Sequence, residues 1–484
     1  MLFNSWTFAV FFLVVYTVYL ALRNYRAQNL FLLAASYLFY SAWDWRFTFL
    51  MVLTTLVDYT CGRCMGACSQ KRWKRLFMLT SILSNLTVLG FFKYYNFFLA
   101  SLDGLLSPLG VTVHGLHLHI VLPVGISFYT FQAISYTVGI YRGEMQPMRN
   151  LPDFALYVAF FPQLVAGPIE RAKVLLEQVT RPRTLDEKRF LSGCWLILWG
   201  LWKKVVLADN LMALVDPLFA QSATINAAES YLAVVAFAFQ IYCDFSAYSD
   251  MARGVARLMG FELMVNFNYP YFATNPSDFW RRWHISLSSW LRDYLYIPLG
   301  GNRHGEARTY RNLMLTMGLG GLWHGAAWNF VWWGIFHGLM LCGWKWYSDR
   351  RSERADSGGL GKLFAVVLMF QFTLFGWLLF RCNRTIPLAN GVVHDDSFRQ
   401  IVEMLTAFHK GWGANLVSLD LLVRILLCAV PLLCVEWITS RQKRVCGEFE
   451  TSPRPVLIGL ASVLLFTLVF YGVPKAEGFI YFQF

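Results

Sequence analysis

The sequence predicts an all-α polytopic membrane protein, and three observations support this fold class. First, 57% of the 484 residues are hydrophobic and 15% are charged, whereas soluble domains carry about a quarter charged residues. Second, the apolar residues form runs long enough to cross a bilayer, which takes roughly 20 residues per helix. Third, the basic excess of 42 Lys and Arg over 29 Asp and Glu lies in short clusters between these runs, as in cytoplasmic loops. This pattern excludes a soluble enzyme, a disordered chain and a disulfide-rich miniprotein, and it argues against nucleic acid as a partner.

Twelve apolar runs predict the membrane segments. A further apolar and aromatic stretch, 284–300, is interrupted by charges, Pro298 and paired glycines, which indicates a re-entrant or interfacial element. We therefore expect about 11 to 13 membrane segments in one integral domain over residues 1–484, because no linker or repeat divides the chain. The runs lie near residues 5–22, 30–46, 47–60, 76–99, 118–141, 151–169, 189–208, 229–250, 312–343, 363–381, 419–439 and 455–473.

Basic clusters predict the orientation of the chain. No basic residue precedes the first run and no small-residue cleavage site follows it, so we expect that run to be retained with its N-terminus outside. The basic segment 171–189 breaks the expected alternation, so one run near it should dip into the membrane and return. Residues 382–418 then fall outside, and their apolar spacing predicts an amphipathic surface helix. The clusters expected in the cytoplasm are Arg63 with Lys71, Arg72, Lys74 and Arg75; Arg303, Arg308 and Arg311; Arg350, Arg351 and Arg354; and Arg441, Lys443 and Arg444.

Ionisable residues concentrate in the middle of the chain, at membrane depth. Such residues are costly there and are functional candidates by default. Asp244 and Tyr248 are one helical turn apart, with Asp250 further round the helix. For the two aspartates, however, we expect helix bracing through Arg or Tyr partners rather than acid chemistry.

The next polar stretch contains tryptophan, arginine and histidine. Trp280, Trp283 and His284 are expected to share a helical face. The neighbouring Arg281 and Arg282 could clamp phosphates, since guanidinium groups match phosphate geometry. The residues alone leave open whether His284 is structural or functional.

The strongest candidate is His324, which lies inside the apolar run 312–343 beside Trp323. No neighbouring charge explains it as a surface residue, so we expect it to face an internal cavity. Imidazole changes protonation near neutral pH and is suited to accept a proton. Trp328, four residues later, could stack on a ligand or wall the cavity, and Asn329 follows it. A hydrogen bond joining two helices is the alternative on spacing alone.

Other patterns in the chain carry less information. Cys61, Cys64 and Cys68 lack a second ligand pair for zinc, and we expect free thiols. His114, His117 and His119 could hold a metal only as a minor alternative. Because nucleotide-binding and serine-hydrolase motifs are also missing from the sequence, we expect no bound metal or cofactor, and the energy must arrive with the substrate.

Six stretches in the middle of the chain resemble the membrane-bound O-acyltransferase family. The resemblance is greatest to the bacterial branch of alginate O-acetyltransferases, with D-alanyl and peptidoglycan transferases as relatives. The stretches follow the family order across a motif-rich core of 123–338, and residues 1–5 and 480–484 are also typical. They are Pro123–Gln132, Phe161–Ile169, Tyr242–Met251, Asp278–Leu287, Trp290–Gly301 and Gly321–Asn329.

The resemblance implies a fold and a set of site residues. The fold would be a ring of tilted helices around a thinned centre, with funnels from both sides of a bacterial inner membrane. His324 matches the essential intramembrane histidine of the family, and His284 matches the second, partly variable one. Around them we expect six residues to bind substrate: Trp283, Trp323, Trp328, Asn329, Arg281 and Arg282.

The expected reaction is acyl transfer from a cytoplasmic thioester. Acetyl-CoA is the favoured donor, with His324 as general base or, as the lesser alternative, the acyl carrier, and His284 orienting or polarising the carbonyl. An extracytoplasmic acetyltransferase partner would pass the group to an exported polysaccharide, and membrane lipid would surround the protein. The alternatives are D-alanyl transfer from an acyl carrier protein, peptidoglycan O-acylation, a transporter or flippase, and a structural subunit of an export complex.

Overall fold

The computed structural model describes residues 1–110, 116–165, 167–350, 358–387, 393–413, 415–442, 445, 447–448, 454–473 and 478–479. Several residues of the sequence interpretation lie outside this described part: His114, residue 166 of the stretch Phe161–Ile169, Arg351, Arg354, residues 388–392 and 414 of the segment 382–418, Lys443, Arg444 and 480–484.

The described chain is helical apart from one short strand pair. The first helices form antiparallel neighbours that place α6 against α3 and α4. A π-helical segment, Gly90–Tyr94, joins α4 to α5 without ending the helix. These helices are α1 (Trp6–Ala21), α2 (Tyr25–Asp44), α3 (Arg46–Ala67), α4 (Lys71–Leu89), α5 (Tyr95–Leu106) and α6 (Ile126–Arg142).

The next segment contains short helices followed by the central helix of the core. A second π-helical segment, Lys203–Ala208, links α10 to α11. The long helix α12 begins with a capping box, in which Asn226 and Glu229 satisfy each other's backbone N–H, a strong helix-start signal. These helices are α7 (Leu151–Ala159), α8 (Phe161–Leu164), α9 (Ala172–Val179), α10 (Glu187–Trp202), α11 (Asp209–Ala220) and α12 (Ala227–Leu258).

The last part of the described chain completes the bundle. A third π-helical segment, Arg292–Tyr296, follows α14. The antiparallel strands β1 (Thr385–Pro387) and β2 (Val393–Asp395) were not predicted. The helices are α13 (Pro276–Arg282), α14 (Ile285–Leu291), α15 (Glu306–His324), α16 (Trp328–Arg350), α17 (Gly359–Arg381), α18 (Ser397–Thr406), α19 (Leu416–Arg441) and α20 (Arg454–Tyr471).

Fewer described helices than expected are long and apolar enough to cross a membrane. Five qualify, and Trp6–Ala21 and Pro455–Tyr471 are shorter apolar helices. The predicted 11 to 13 segments are therefore not confirmed by this criterion. The reason is that several predicted runs are divided by breaks in the backbone, while other helices contain too many polar residues for a criterion that rests on length and composition. The five are Lys71–Leu106, Glu187–Ala220, Ala227–Leu258, Gly359–Arg381 and Leu416–Arg441.

Two of the predicted runs are broken. The run 151–169 divides at Phe160 into α7 and α8, of nine and four residues, and at 1.5 Å rise per residue neither can span a bilayer. This agrees with the expectation that a run near the basic segment 171–189 does not cross. The run 312–343, expected as one stretch, divides at residues 325–327 into α15 and α16. Stretch 284–300 is likewise interrupted, by the third π-helical segment and the turns after it.

The core is built around α12, whose residues are nearly all buried. Helices α10, α11, α17 and α19 pack against it. The main hydrophobic cluster includes residues from Phe3 to Phe479, so both ends of the chain contribute to it. Helix α12 is therefore surrounded by protein although it carries Asp244 and Asp250, and buried charges of this kind need partners inside the protein.

Two lysines of the second π-helical segment neutralise the aspartates of α12. The Lys203 ammonium lies 2.7 Å from Asp250, and the Lys204 ammonium lies 2.8 Å from both Asp209 and Asp244. The predicted bracing role of Asp244 and Asp250 is confirmed, although lysines provide the main contacts in place of Arg or Tyr. The sequence interpretation overlooked both lysines, which lie inside an apolar run.

The predicted surface helix in 382–418 is α18. Met404 packs inward, whereas Val402 and Leu405 are partly exposed. Arg384 binds Glu403 at 2.8 Å. This hydrogen bond lowers the pKa of Glu403 to about 2, so the carboxylate stays ionised and holds α18 against the chain that precedes it.

Candidate active site

The candidate site is built on the hairpin of α15 and α16. Helix α15 ends at His324 and α16 begins at Trp328, which leaves three residues for the turn. The two helices meet at glycines. A Cβ on Gly321 would overlap the carbonyl oxygen of Phe330, and one on Gly334 would overlap that of Met317. Glycine is required at both positions because the two backbones are in contact.

His324 is buried at the end of α15, among aromatic rings. Its ring lies 4.9 Å from the Trp333 ring, 5.0 Å from the Trp323 ring and 5.4 Å from the Phe380 ring, each nearly edge-on. Such an aromatic shell restricts the orientation of the imidazole, because edge-to-face arrangements are favoured at these distances. The ring does not face lipid.

A cavity of about 380 Å³ reaches His324. The described residues that line it are mainly apolar, and no carboxylate is among them. Besides His324, the polar side chains among these lining residues include Ser127, Tyr40 and Lys93. The lining residues are Met1, Leu2, Phe39, Tyr40, Trp43, Lys93, Leu122, Pro123, Val124, Gly125, Ile126, Ser127, Phe128, Val165, Trp323, His324 and Gly478.

Lys93 and Tyr94 hold the end of α15 from the first π-helical segment. The Lys93 ammonium donates to the carbonyl oxygens of Trp323 at 2.5 Å and of His324 at 3.1 Å. The Tyr94 hydroxyl donates to the carbonyl oxygen of Leu322 at 2.9 Å. The sequence interpretation missed Lys93, although a lone lysine inside an apolar run is itself a functional signal.

His284 is the second buried histidine near the site. Its ring centroid lies 6.5 Å from that of His324 and 4.6 Å from that of Phe245. Within the described residues, neither ring nitrogen has a hydrogen-bond partner. His284 also has a left-handed backbone, with φ at 42°, which is uncommon for a residue with a side chain. His284 is not among the residues that line the cavity. Its ring thus packs behind that of His324, meaning on the side away from the cavity.

This backbone conformation corrects the predicted helical face of Trp280, Trp283 and His284. Helix α13 ends at Arg282, and α14 begins at Ile285. Trp283 and His284 form the connection between these helices, so the three residues do not share a helical face. The sequence contains no proline or glycine at this point, and only the packing of the surrounding aromatic residues reveals the break.

Of the six predicted substrate-binding residues, Trp323 lines the cavity and the other five do not. Trp283 stacks on Phe279 in the aromatic core. The Asn329 amide donates to the carbonyl oxygen of Phe380 at 2.9 Å, and Trp328 is 45% exposed at the start of α16. Arg281 and Arg282 both pair with Asp278. The structure therefore gives these five residues packing, surface or ion-pairing positions.

No metal centre is found in the described part of the chain, where no group of three or more His, Cys, Asp or Glu residues could hold an ion. Cys61, Cys64 and Cys68 are free thiols, as expected.

Adding one methyl group at the α15–α16 contact should disturb the site. We expect Gly321→Ala to reduce stability by about 1 to 3 kcal/mol, the usual cost of overpacking. Because Gly321 lies one turn before His324, enzymatic activity should fall by up to about 10²-fold, the cost of small misplacements at a reacting centre. The measurements are the unfolding midpoint in detergent and the enzymatic rate.

Gly318→Ala is the matched control in the same helix. A Cβ at Gly318 meets nothing within 4 Å, so this change should be neutral or slightly stabilising. Equal effects of the two substitutions would contradict the proposed role of the helix contact.

The fold and the site together define an integral membrane enzyme with a buried histidine at an internal cavity. The chain belongs to the membrane-bound O-acyltransferase family, whose model matches residues 3–353. It is therefore an O-acyltransferase of the membrane. This agrees with the resemblance identified from the six sequence stretches.

The relatives are bacterial enzymes that act on polymers. The chain is 44% identical over 390 residues to the probable alginate O-acetylase AlgI of Azotobacter vinelandii, covering 79% of this chain and 75% of the relative. It is 36% identical over 414 residues to a peptidoglycan O-acetyltransferase of Helicobacter pylori, covering 79% and 77%. It is 28% identical over 311 residues to a teichoic acid D-alanyltransferase of Streptococcus thermophilus, covering 59% and 74%.

Proposed function

We propose that this enzyme takes an acetyl group from cytoplasmic acetyl-CoA and transfers it, across the membrane, toward an exported polysaccharide such as alginate. The position of His324 at the internal cavity is the observation that carries the proposal. The similarity to alginate O-acetylases, which exceeds that to the D-alanyltransferase, supports acetyl as the acyl group.

The side on which the cavity lies supports transfer across a bacterial inner membrane. Its lining residues include those before α1, at the end of α2, at the start of α6 and at the end of α15, and the short connection between α1 and α2 puts the start of α1 and the end of α2 on one face. The connection from α1 to α2 contains Arg23, and α4 begins with Lys71 and Arg72; both lie at the opposite face. Because basic loops stay in the cytoplasm, the cavity would open outside, as would the N-terminus, and admit the acceptor.

His324 would act as the general base at the cavity. It takes the proton from the acceptor hydroxyl while the hydroxyl oxygen attacks the thioester carbonyl, which forms a tetrahedral intermediate. The carbon–sulfur bond then breaks, and the proton passes from His324 to the departing thiolate. The products are an acetyl ester and free CoA, so the reaction balances without a bound metal or cofactor. An acetyl group held covalently by His324 is the alternative.

His284 would support His324 from behind. It does not line the cavity, so it is less suited than a cavity residue to polarise the substrate carbonyl. With its ring 6.5 Å from that of His324, it restricts the position of the reacting imidazole. We propose a positioning role for His284, and an extracytoplasmic acetyltransferase as the partner that receives the acetyl group.

The donor can be tested with purified enzyme in proteoliposomes. We expect labelled acetyl-CoA to be consumed, with release of one CoA thiol per acetyl transferred, when the face with the basic loops is outward. A D-alanyl carrier protein should not be consumed. Liposomes with the opposite orientation provide the control, because acetyl-CoA does not cross the bilayer.

Two results would contradict the proposal. Consumption of carrier-bound acyl groups alone would indicate a D-alanyltransferase. Movement of a solute without cleavage of any thioester would indicate a transporter or flippase.

A further inference from the structure

Lys93 is the one lysine or arginine among the described residues that line the cavity. It lies in the π-helical turn of the α4–α5 helix, at a depth where a cation is costly. The lining residues include no carboxylate, and no described acidic group forms an ion pair with Lys93. Lys93 is half-buried, and a half-buried cation without a protein counter-charge is suited to bind negative charge on a ligand.

The contacts of Lys93 leave it able to donate into the cavity. An ammonium group has three N–H donors. Two of them are directed at the carbonyl oxygens of Trp323 and His324, at the C-terminal end of α15, where the helix dipole favours positive charge. No described residue accepts the third. The ammonium is therefore fixed beside the residue that provides the reacting imidazole.

We propose that Lys93 is a catalytic residue that binds the carbonyl oxygen of the acyl group and stabilises the negative charge that develops on it. This inference rests on the proposed function. It assigns to Lys93 the carbonyl-polarising role that the sequence interpretation gave to His284.

In the reaction step, two groups at the C-terminal end of α15 have separate tasks: His324, which ends that helix, and Lys93, which contacts it from the α4–α5 helix. His324 removes the proton from the acceptor hydroxyl, and the new carbon–oxygen bond forms. The carbonyl π electrons move to its oxygen, where the Lys93 ammonium donates a hydrogen bond without losing its proton. When the carbonyl re-forms, the carbon–sulfur bond breaks and the thiolate receives the proton held by His324. Lys93 ends the cycle unchanged.

Holding the end of α15 does not require a cation. The neutral hydroxyl of Tyr94, the next residue, already binds the carbonyl oxygen of Leu322 in the same helical turn. A role limited to helix capping would be met by a neutral donor at position 93. The combination of charge, cavity position and adjacency to His324 favours direct contact with the substrate.

The test compares Lys93→Met, which keeps the length of the side chain and removes its donors, with the intact enzyme. Loss of one preorganised oxyanion donor typically lowers kcat by about 10²- to 10³-fold. We expect this loss in kcat with KM for the acyl donor changed by less than about threefold. Lys71→Met, at the exposed start of the same helix, should behave as the unmodified enzyme. Tyr94→Phe, which removes the neutral contact, should lower kcat by no more than about tenfold.

Chemical rescue separates catalysis from helix positioning. In Lys93→Ala, added ethylamine or propylamine should raise kcat at least tenfold over its value without amine, because a small ammonium ion can occupy the vacated space. A Lys93→Met enzyme that retains kcat within threefold would overturn the proposal. A loss of activity accompanied by a lower unfolding midpoint, with no rescue by amines, would also overturn it and assign Lys93 to positioning.

The proposed function fails independently of this test. If the unmodified enzyme transfers no acyl group from any thioester, the function itself is wrong. If it uses only a carrier-bound acyl group, the same Lys93 variants are measured with that donor.

Discussion

Replacing His324 with Ala is expected to lower acyl transfer by a factor of about 10² to 10⁴, the usual contribution of a well-placed general base. The sequence motif and the position at the end of α15 both identify the His324 imidazole as the candidate base at the cavity. Its removal leaves the backbone contacts of Lys93 and Tyr94 with α15 unchanged. The measurement is release of CoA thiol and formation of acetyl ester by purified protein.

Two variants serve as controls for this result. His324→Gln keeps most of the side-chain volume within the aromatic shell and should be as inactive as His324→Ala, with an unfolding midpoint close to that of the unmodified enzyme. His409→Ala changes a histidine in the surface turn after α18 and should leave transfer intact. If His324→Gln retained full transfer, the general-base assignment would be wrong.

Lys204→Met is expected to cause the largest loss of stability. Lys204 lies 2.8 Å from both Asp209 and Asp244, and all three side chains are at most 5% exposed. Removing the cation leaves two buried carboxylates without their shared counter-charge. Breaking a buried ion pair in this way typically costs about 3 to 5 kcal/mol. The measurements are the yield of folded protein and the free energy of unfolding in detergent.

Neutralising the partners should reverse most of this loss. The triple variant Lys204→Met, Asp209→Asn, Asp244→Asn has none of the three charges. We expect its unfolding midpoint to return most of the way to that of the unmodified enzyme. Lys173→Met, at an exposed lysine of α9, should have little effect. An unchanged midpoint in Lys204→Met would show that these charges do not stabilise the bundle.

The local sequence was sufficient for the fold class and the family. Long apolar runs and clustered basic residues indicate membrane helices whatever their packing, because the bilayer imposes length and polarity on each segment separately. The motif around His324 could likewise be recognised from the sequence, because its residues follow one another in the chain. The same reasoning failed for α13 and α14, where it extended one helix through His284 and missed the left-handed backbone at that residue.

What the sequence by itself determined about this protein is its class and its family, and it also singled out His324 as the candidate site histidine. The tertiary structure alone decided which residues meet His324. Lys93 lies 231 positions away in the chain and reaches the His324 carbonyl, while Trp328, only four residues after His324, does not line the cavity, and neither do Arg281 and Arg282. The physical reason is that periodicity specifies which face of a helix is apolar, whereas long-range packing determines which helix covers that face. A site shared between distant helices is therefore not encoded in any one segment.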